Sequence, residues 1–472
     1  MILGASRSGS PLPQFHICAI PFDAAASYSA AANHLPEQVS IAWPHDIDVA
    51  RYVCDRLHNV TGPLSGLRLW REASLATRLE RREQLLGSAP PRRPAKSAPI
   101  PRRVLFISFP SAFWGAENSL LQLVSRVDRA RYQPFFLAGM EGLLTRRLRE
   151  IQVQVISCAG FGGNGAEDSL YVANVIQKTK PHLLHLNAPS GPVPILAQAL
   201  WGIPVVAHLR IAETRGYEAQ LKASDAIIVV SEFVRREVLK LEIPEEAVHV
   251  VYNGVDSEHF RRNRLNGPAL REKFGIPQAG KVALMIARFS PEKRHDLLLQ
   301  AARLVKPQLP NLFVVLNGDT FGESPAFDFA RAFIERHGMG SWVRIIPFVE
   351  DIRELHSIAD ALVLCSEREA LARCVIEAMA MEVPVIVANS GGLAEIVQHG
   401  KTGFVVPPGD VESLASQIVS TFATPELCRR VTRAARRHIE QHYDAALAAH
   451  RVMALYDRVL NEKSRRRHNM KR

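Results

Sequence analysis

The sequence predicts an α/β protein made of two doubly wound halves that face each other across a cleft, preceded by an N-terminal extension. Three observations predict it. The chain has 472 residues, too many for one ordinary domain. From residue 101 onward, short β-branched or apolar runs alternate with helical stretches, and a second such series begins at residue 276. The segment "GSAPPRRPAKSAPIPRR" (87–103) is rich in Pro, Arg and Ala and reads as an extended linker before this regular part.

Residues 1–100 hold one strand-like run, "FHICAIPF", and a helical stretch, "LRLWREASLATRLERREQLL". Leu69, Ala73, Ala76 and Leu79 fall on one face of that helix, with Trp70 beside them and arginines around the rest. Two readings stay open: an add-on packed against the body, or an interfacial helix on a membrane surface. Asp46-Ile47-Asp48 has the form of a metal-binding D-x-D run. It is too short to be specific and its flanks are not a strand ending in a pocket, so no metal ligand is assigned.

The first half, 101–275, contains the strands "RVLFISF", "QVQVIS", "HLLHL", "PVVAH" and "AIIVV", with helices near 116–127, 168–179 and 231–241. The second half, 276–440, contains "KVALMIA", "NLFVVLNGD", "WVRIIPF", "ADALVLC", "VPVIVA" and "TGFVVPPGD". "YDAALAAHRVMALYDRVL" is one more helix, leading into a basic tail within 441–472. The carboxyl ends of both parallel sheets line the cleft, where such sheets take ligands.

Composition narrows the function classes. With 47% hydrophobic residues the chain can build sizeable cores. No run approaches the ~18 apolar residues of a membrane span. The start, "MILGASRSGSPLPQ", lacks the charged and apolar regions of an export signal, which points to a cytoplasmic location. The six cysteines are scattered and read as reduced thiols. Of the net charge of +11, residues 66–103 carry +7 and residues 463–472 carry +6, leaving −2 elsewhere. A body without surplus positive charge is a poor nucleic-acid groove. The basic ends suit peripheral contact with an anionic membrane on its inner face, or are solvated arms without a partner.

Several loops carry candidate chemistry. In "ARFSPEKRHDLLLQ", Arg288 and Lys293 sit after a strand, and two such cations suit a diphosphate. In "NSGGLAEIV", Gly391 and Gly392 join a strand to a helix, where backbone amides could close on a ligand or simply form a turn. Gly318, in "NGD", closes another strand in the same way. Glu369 and Glu377, in "EALARCVIE", stand eight positions apart, roughly 12 Å along one unbroken helix. They cannot share a proton. Glu369 reads as a loop residue and Glu377 as lying near the start of the following helix, two acceptors spread along one elongated ligand such as a nucleotide sugar.

The order of these motifs resembles glycosyltransferase family 4, whose members have the GT-B fold of two Rossmann-like domains and retain anomeric configuration. The resemblance runs from about 103 to 440. It rests on Glu369 and Glu377 as the family's E-x(7)-E pair, on Arg288 and Lys293, and on "EAMA", "GGLAEIV", "GKTGFVVPPGD" and "YNGVD". It implies that Glu377 binds ribose, that Glu369 and His208 meet the transferred sugar, and that Arg288 and Lys293 neutralise the diphosphate leaving group. It also implies substrate contacts at Gly115, Gly318, Arg373, Gly391 and Gly392. The donor implied is a UDP- or GDP-linked hexose, used without a metal or other cofactor, and the acceptor is a glycan or a lipid-linked molecule. Three departures stand out: Ala370-Leu371-Ala372 where the family has Gly-Phe-Gly, Glu382 where it has glycine, and Trp114 before Gly115. A non-catalytic nucleotide-sugar-binding protein and a nucleotide-sugar epimerase of the same architecture are the rival readings.

Overall fold

The computed structural model describes residues 3–6, 14–17, 100–108, 115–157, 166–188, 193–197, 201–261, 265–319 and 324–469. Asp46, Asp48, the helical stretch around Leu69, Trp114 and all but the end of the linker lie outside these residues. A short antiparallel ladder pairs β1 (Leu3–Ser6) with β2 (Gln14–Ile17).

Seven parallel strands form the first sheet. They are β3 (Arg102–Ser108), β4 (Tyr132–Ala138), β5 (Gln154–Ser157), β6 (Leu183–Leu186), β7 (Val205–Leu209), β8 (Ala226–Val229) and β9 (Val248–Val250). Six more form the second: β10 (Lys281–Ile286), β11 (Leu312–Asn317), β12 (Val343–Ile346), β13 (Ala361–Leu364), β14 (Val385–Ala388) and β15 (Phe404–Val406). The orders are β5-β4-β3-β6-β7-β8-β9 and β12-β11-β10-β13-β14-β15. In each, the chain winds outward one way from its first strand, then crosses over and winds the other way. The switch points lie between β3 and β6 and between β10 and β13.

The inner strands are mostly apolar because helices cover both faces. Along β3, Val104 and Phe106 point to one side and Leu105 and Ile107 to the other, and each pair joins a separate buried cluster. β4 carries Pro134, which argues against an inner strand. Gly139 N–H donates to Ser108 O on β3, so by alternation the Pro134 nitrogen turns toward β5. β5 begins only opposite Phe135, and the missing N–H costs no ladder bond.

The last helix, Ala445–Asn469, returns to the first sheet. Its Ala449, Val452, Tyr456 and Val459 pack with Val104, Phe106 and Tyr132, and Tyr132 Oη donates to Asp457 Oδ1 at 2.6 Å. The helix continues into the basic tail, as far as Asn469. At the junction of the halves, Val255 N–H donates to Tyr443 O at 2.9 Å and Ala445 N–H to Val255 O at 3.0 Å. Gly254 is required here, since a Cβ on it would lie 2.4 Å from Ala445 Cα.

Candidate active site

The second switch point assembles the site from two loops. The loop after β10 carries Arg288 and Lys293, and the loop after β13 carries Glu369. The fold brings Lys293 Nζ to 2.6 Å from Glu369 Oε2, with the side chains only 17% and 13% exposed. At that burial the pair interacts through a dielectric well below that of water. The loops are also tied by Glu367 N–H, which donates to Glu292 O at 2.9 Å, and by an Arg294–Glu367 ion pair. Arg288 is half exposed, with its guanidinium 3.0 Å from Glu292 Oε1.

The glycines serve this loop pair. A Cβ on Gly318 would lie 1.9 Å from Ala287 O, so Gly318 lets β11 end against the backbone that leads into Arg288. Gly391 is left-handed (φ 50°), and a Cβ there would lie 2.2 Å from Glu369 O. Gly392 N–H donates to Glu369 O at 2.8 Å. Of the two readings of the paired glycines, the turn is the one these contacts favour for Gly392, whose amide is taken by the chain itself. Both glycines let the backbone approach the Glu369–Ala370 segment closely.

Glu377 is the fifth residue of the helix Arg373–Ala380, a full turn beyond its start, and is buried. Its carboxylate lies 2.7 Å from Arg373 Nε and 3.6 Å from His356 Nε2. Arg373 also crosses to the first half, donating to Ser119 Oγ at 3.3 Å and Gly254 O at 3.2 Å. Gly115, which opens the helix Gly115–Val124, faces it: a Cβ on Gly115 would lie 3.9 Å from Arg373 Cβ.

At the carboxyl edge of the first sheet, His208 near the end of β7 is buried. The sequence reading missed its neighbour. Arg210 donates from Nε to Asn187 Oδ1 at 2.7 Å and also bonds Asn253 Oδ1, and one of its terminal nitrogens lies 3.2 Å from His208 Nδ1. Burial lowers the Arg210 pKa to about 9, opposed by the buried carboxylate of Glu117 and reinforced by Arg373. Burial first, then Arg210 and His185, hold the His208 imidazole well below its ordinary value, so it is neutral. Lys293–Glu369 and Arg373–Glu377 are thus charge pairs of the second half and Arg210–Glu117 one of the first, and Arg373 reaches across the junction to Ser119 and Gly254.

Glu395 also joins the halves. The Glu395 carboxylate accepts from Glu232 N–H at 2.9 Å and Phe233 N–H at 2.7 Å, placing negative charge on the N-terminus of the helix Glu232–Leu239. Tyr252 Oη adds a third bond to it at 3.0 Å. Beside the loop after β12, a cavity of about 700 Å³ is lined by Arg147, His259, Phe274, Phe348, Asp351 and Arg353, among others. The helix that carries Arg353, Arg353–Ile358, also carries His356, which touches Glu377.

The glycosyl transferases group 1 family matches residues 267–438, and Glycosyltransferase Family 4 matches residues 114–259. The chain belongs to glycosyltransferase family 4. This family 4 chain is 27% identical over 244 residues to N-acetyl-alpha-D-glucosaminyl L-malate synthase of Bacillus anthracis, a match covering 51% of the chain and 62% of that enzyme. It is 30% identical over 300 residues to D-inositol 3-phosphate glycosyltransferase of Streptomyces avermitilis, covering 56% and 64%. It therefore spans less than two thirds of the length of either relative. Anabaena HepE, crystallised with UDP and glucose, shares the fold with a TM-score of 0.67 at 23% identity, covering 75% of this chain and 99% of HepE. The two parallel sheets with flanking helices are the GT-B architecture. Of the departures from family 4 usage, Ala370, Leu371 and Ala372 are buried in a hydrophobic cluster that draws residues from both halves. Glu382 adopts the left-handed conformation that glycine favours, φ 54°.

Proposed function

We propose that this chain is a retaining, metal-independent hexosyltransferase that moves a sugar from a nucleotide diphosphate donor, UDP- or GDP-linked, to a glycan or lipid-linked acceptor. The observation that carries this reading is the meeting of Lys293 and Glu369, drawn from the two loops of the second switch point, at 2.6 Å. HepE, which shares the fold, has been crystallised with UDP-glucose, in keeping with a UDP-sugar donor.

The residues act as follows. Arg288 and Lys293 take the diphosphate, and as the sugar C1–O bond breaks their charge stabilises the leaving phosphate. No metal is then needed for that charge. An arriving diphosphate draws Lys293 from Glu369, and the freed carboxylate accepts hydrogen bonds from sugar hydroxyls. Glu377 accepts from the ribose hydroxyls in exchange for part of its contact with Arg373, and the cavity beside Phe348 and Arg353 takes the base. His208 meets the transferred sugar from the first half. The acceptor hydroxyl attacks C1 from the face the diphosphate leaves, its proton passes to the departing phosphate oxygen, and the anomeric configuration is retained. On this reading the chain works in the cytoplasm, peripheral on the inner membrane face, where lipid-linked acceptors lie.

A thermal-shift screen of UDP-, GDP- and ADP-sugars, followed by transfer assays with the stabilising donor, tests the reading. A donor that raises the melting temperature and releases its diphosphate with acceptor supports it. A donor that binds without turnover under any acceptor favours the non-catalytic reading.

A further inference from the structure

Arg210 is a buried cation whose contacts have a chemical consequence for His208. A guanidinium has five N–H donors and no acceptor. One of its terminal nitrogens lies 3.2 Å from His208 Nδ1, while its other bonds run to Asn187 and Asn253. Those two acceptors come from the end of β6 and from the junction between the halves, so the guanidinium plane is held from two sides. A proton on Nδ1 would set two donors face to face. Nδ1 must therefore keep its lone pair, and the ring proton must sit on Nε2. That nitrogen is buried and has no hydrogen-bond partner among the described residues. His185 packs edge-on against the ring at 5.3 Å and adds no carboxylate that would favour the imidazolium.

We propose that Arg210 is a positioning residue that locks His208 as the neutral Nε2–H tautomer, so that His208 donates a hydrogen bond to an oxygen of the transferred sugar and cannot serve as a base. The ligand oxygen it selects must be an acceptor: a sugar hydroxyl, the ring oxygen or the glycosidic oxygen. This deepens the reading that His208 meets the sugar and rests on it. The tautomer, however, is a property of the protein alone and can be measured without donor or acceptor.

The test is a long-range ¹H–¹⁵N correlation spectrum of the full chain labelled with ¹⁵N-histidine, with the His208 signals assigned by their loss in His208→Gln. The expected wild-type spectrum shows a bare Nδ1 and a protonated Nε2 from about pH 5.5 to about pH 8, because the group stays neutral where a free histidine titrates. A protonated Nδ1, or an imidazolium at neutral pH, overturns the proposal. In Arg210→Met the two tautomers should mix, and kcat should fall by about 10- to 100-fold with the donor KM within about threefold, the pattern of a misoriented histidine. Arg210→Lys, which still offers only donors, should restore the Nε2–H signature and part of kcat. An unchanged tautomer in Arg210→Met also overturns the proposal, and if that variant does not fold the wild-type spectrum decides alone. Wild-type transfer rates in His208→Gln, together with the expected tautomer in the wild type, would remove the sugar contact while leaving the lock in place.

Discussion

Replacing Lys293 with methionine removes one charge and keeps most of the side-chain volume, which makes it the sharpest perturbation of the donor site. The Lys293–Glu369 pair is 2.6 Å long, with side chains 17% and 13% exposed. At an effective dielectric of about 20, two unit charges at that distance attract by roughly 6 kcal/mol before desolvation is subtracted. A fully buried pair broken on one side loses about 3–5 kcal/mol, and exposed pairs are worth about 0–1. A pair at this intermediate exposure should therefore destabilise by about 1–3 kcal/mol when Lys293 is removed. For a chain of this size that is a fall in Tm of about 1–3 °C. Glu369→Gln should cost a similar amount, and the double variant less than the sum, with a coupling of about 1–3 kcal/mol. Calorimetry or thermal shift on the four proteins reads the stability cycle. Lys293→Met should also lower transfer by at least ~100-fold, the scale of losing one preorganised group at developing charge. Additive stability effects, or near-normal turnover in Lys293→Met, would refute the assignment.

Arg288 is half exposed and outside that pair, so Arg288→Ala should reduce transfer by at least ~100-fold while moving stability by no more than ~0.5 kcal/mol. A matching loss of stability would show it to be a structural residue. With Arg288 and Lys293 supplying the positive charge, activity should persist in excess EDTA, and strict dependence on added Mn²⁺ or Mg²⁺ would sink that prediction. The basic segments 66–103 and 463–472 should carry the chain down with anionic liposomes at low salt but not at high salt, at about 1 kcal/mol per basic residue near the surface. A full chain that stays in the supernatant under those conditions contradicts the membrane reading, and a chain trimmed to 101–462 that pellets equally well moves the attachment elsewhere.

The two sheets were legible because parallel strands buried on both faces leave continuous apolar runs such as "ALVLC" and "VPVIVA". β4 was not, since Pro134 argues against an inner strand and only the late start of β5 explains it. Arg288, Lys293 and Glu369 could be placed at the ligand-facing edge because each follows a strand there. Their division of labour could not be read: nothing in the spacing says that Lys293 meets Glu369 while Arg288 turns to Glu292. Gly391 and Gly392 announced a close backbone approach, but a sequence cannot say whether a ligand or the chain itself approaches. Arg210 was invisible for a related reason. Its acceptors Asn187 and Asn253 lie 23 and 43 residues away, and only the fold makes a lone arginine after a strand into the partner of His208. Glu395, inside a motif read for its glycines, proved to be a carboxylate placed on a helix N-terminus of the other half.

The central claim is that the Lys293–Glu369 site binds a nucleotide sugar and transfers its hexose. The most direct measurement is release of nucleoside diphosphate from the donor that most stabilises the chain, with and without an acceptor extract, in the wild type and in Glu369→Gln, with the product anomer read by NMR. The account predicts acceptor-dependent release by the wild type, a loss of at least ~100-fold in Glu369→Gln, and a product with the anomeric configuration of the donor. Wild-type release in Glu369→Gln, or a product of inverted configuration, would contradict it.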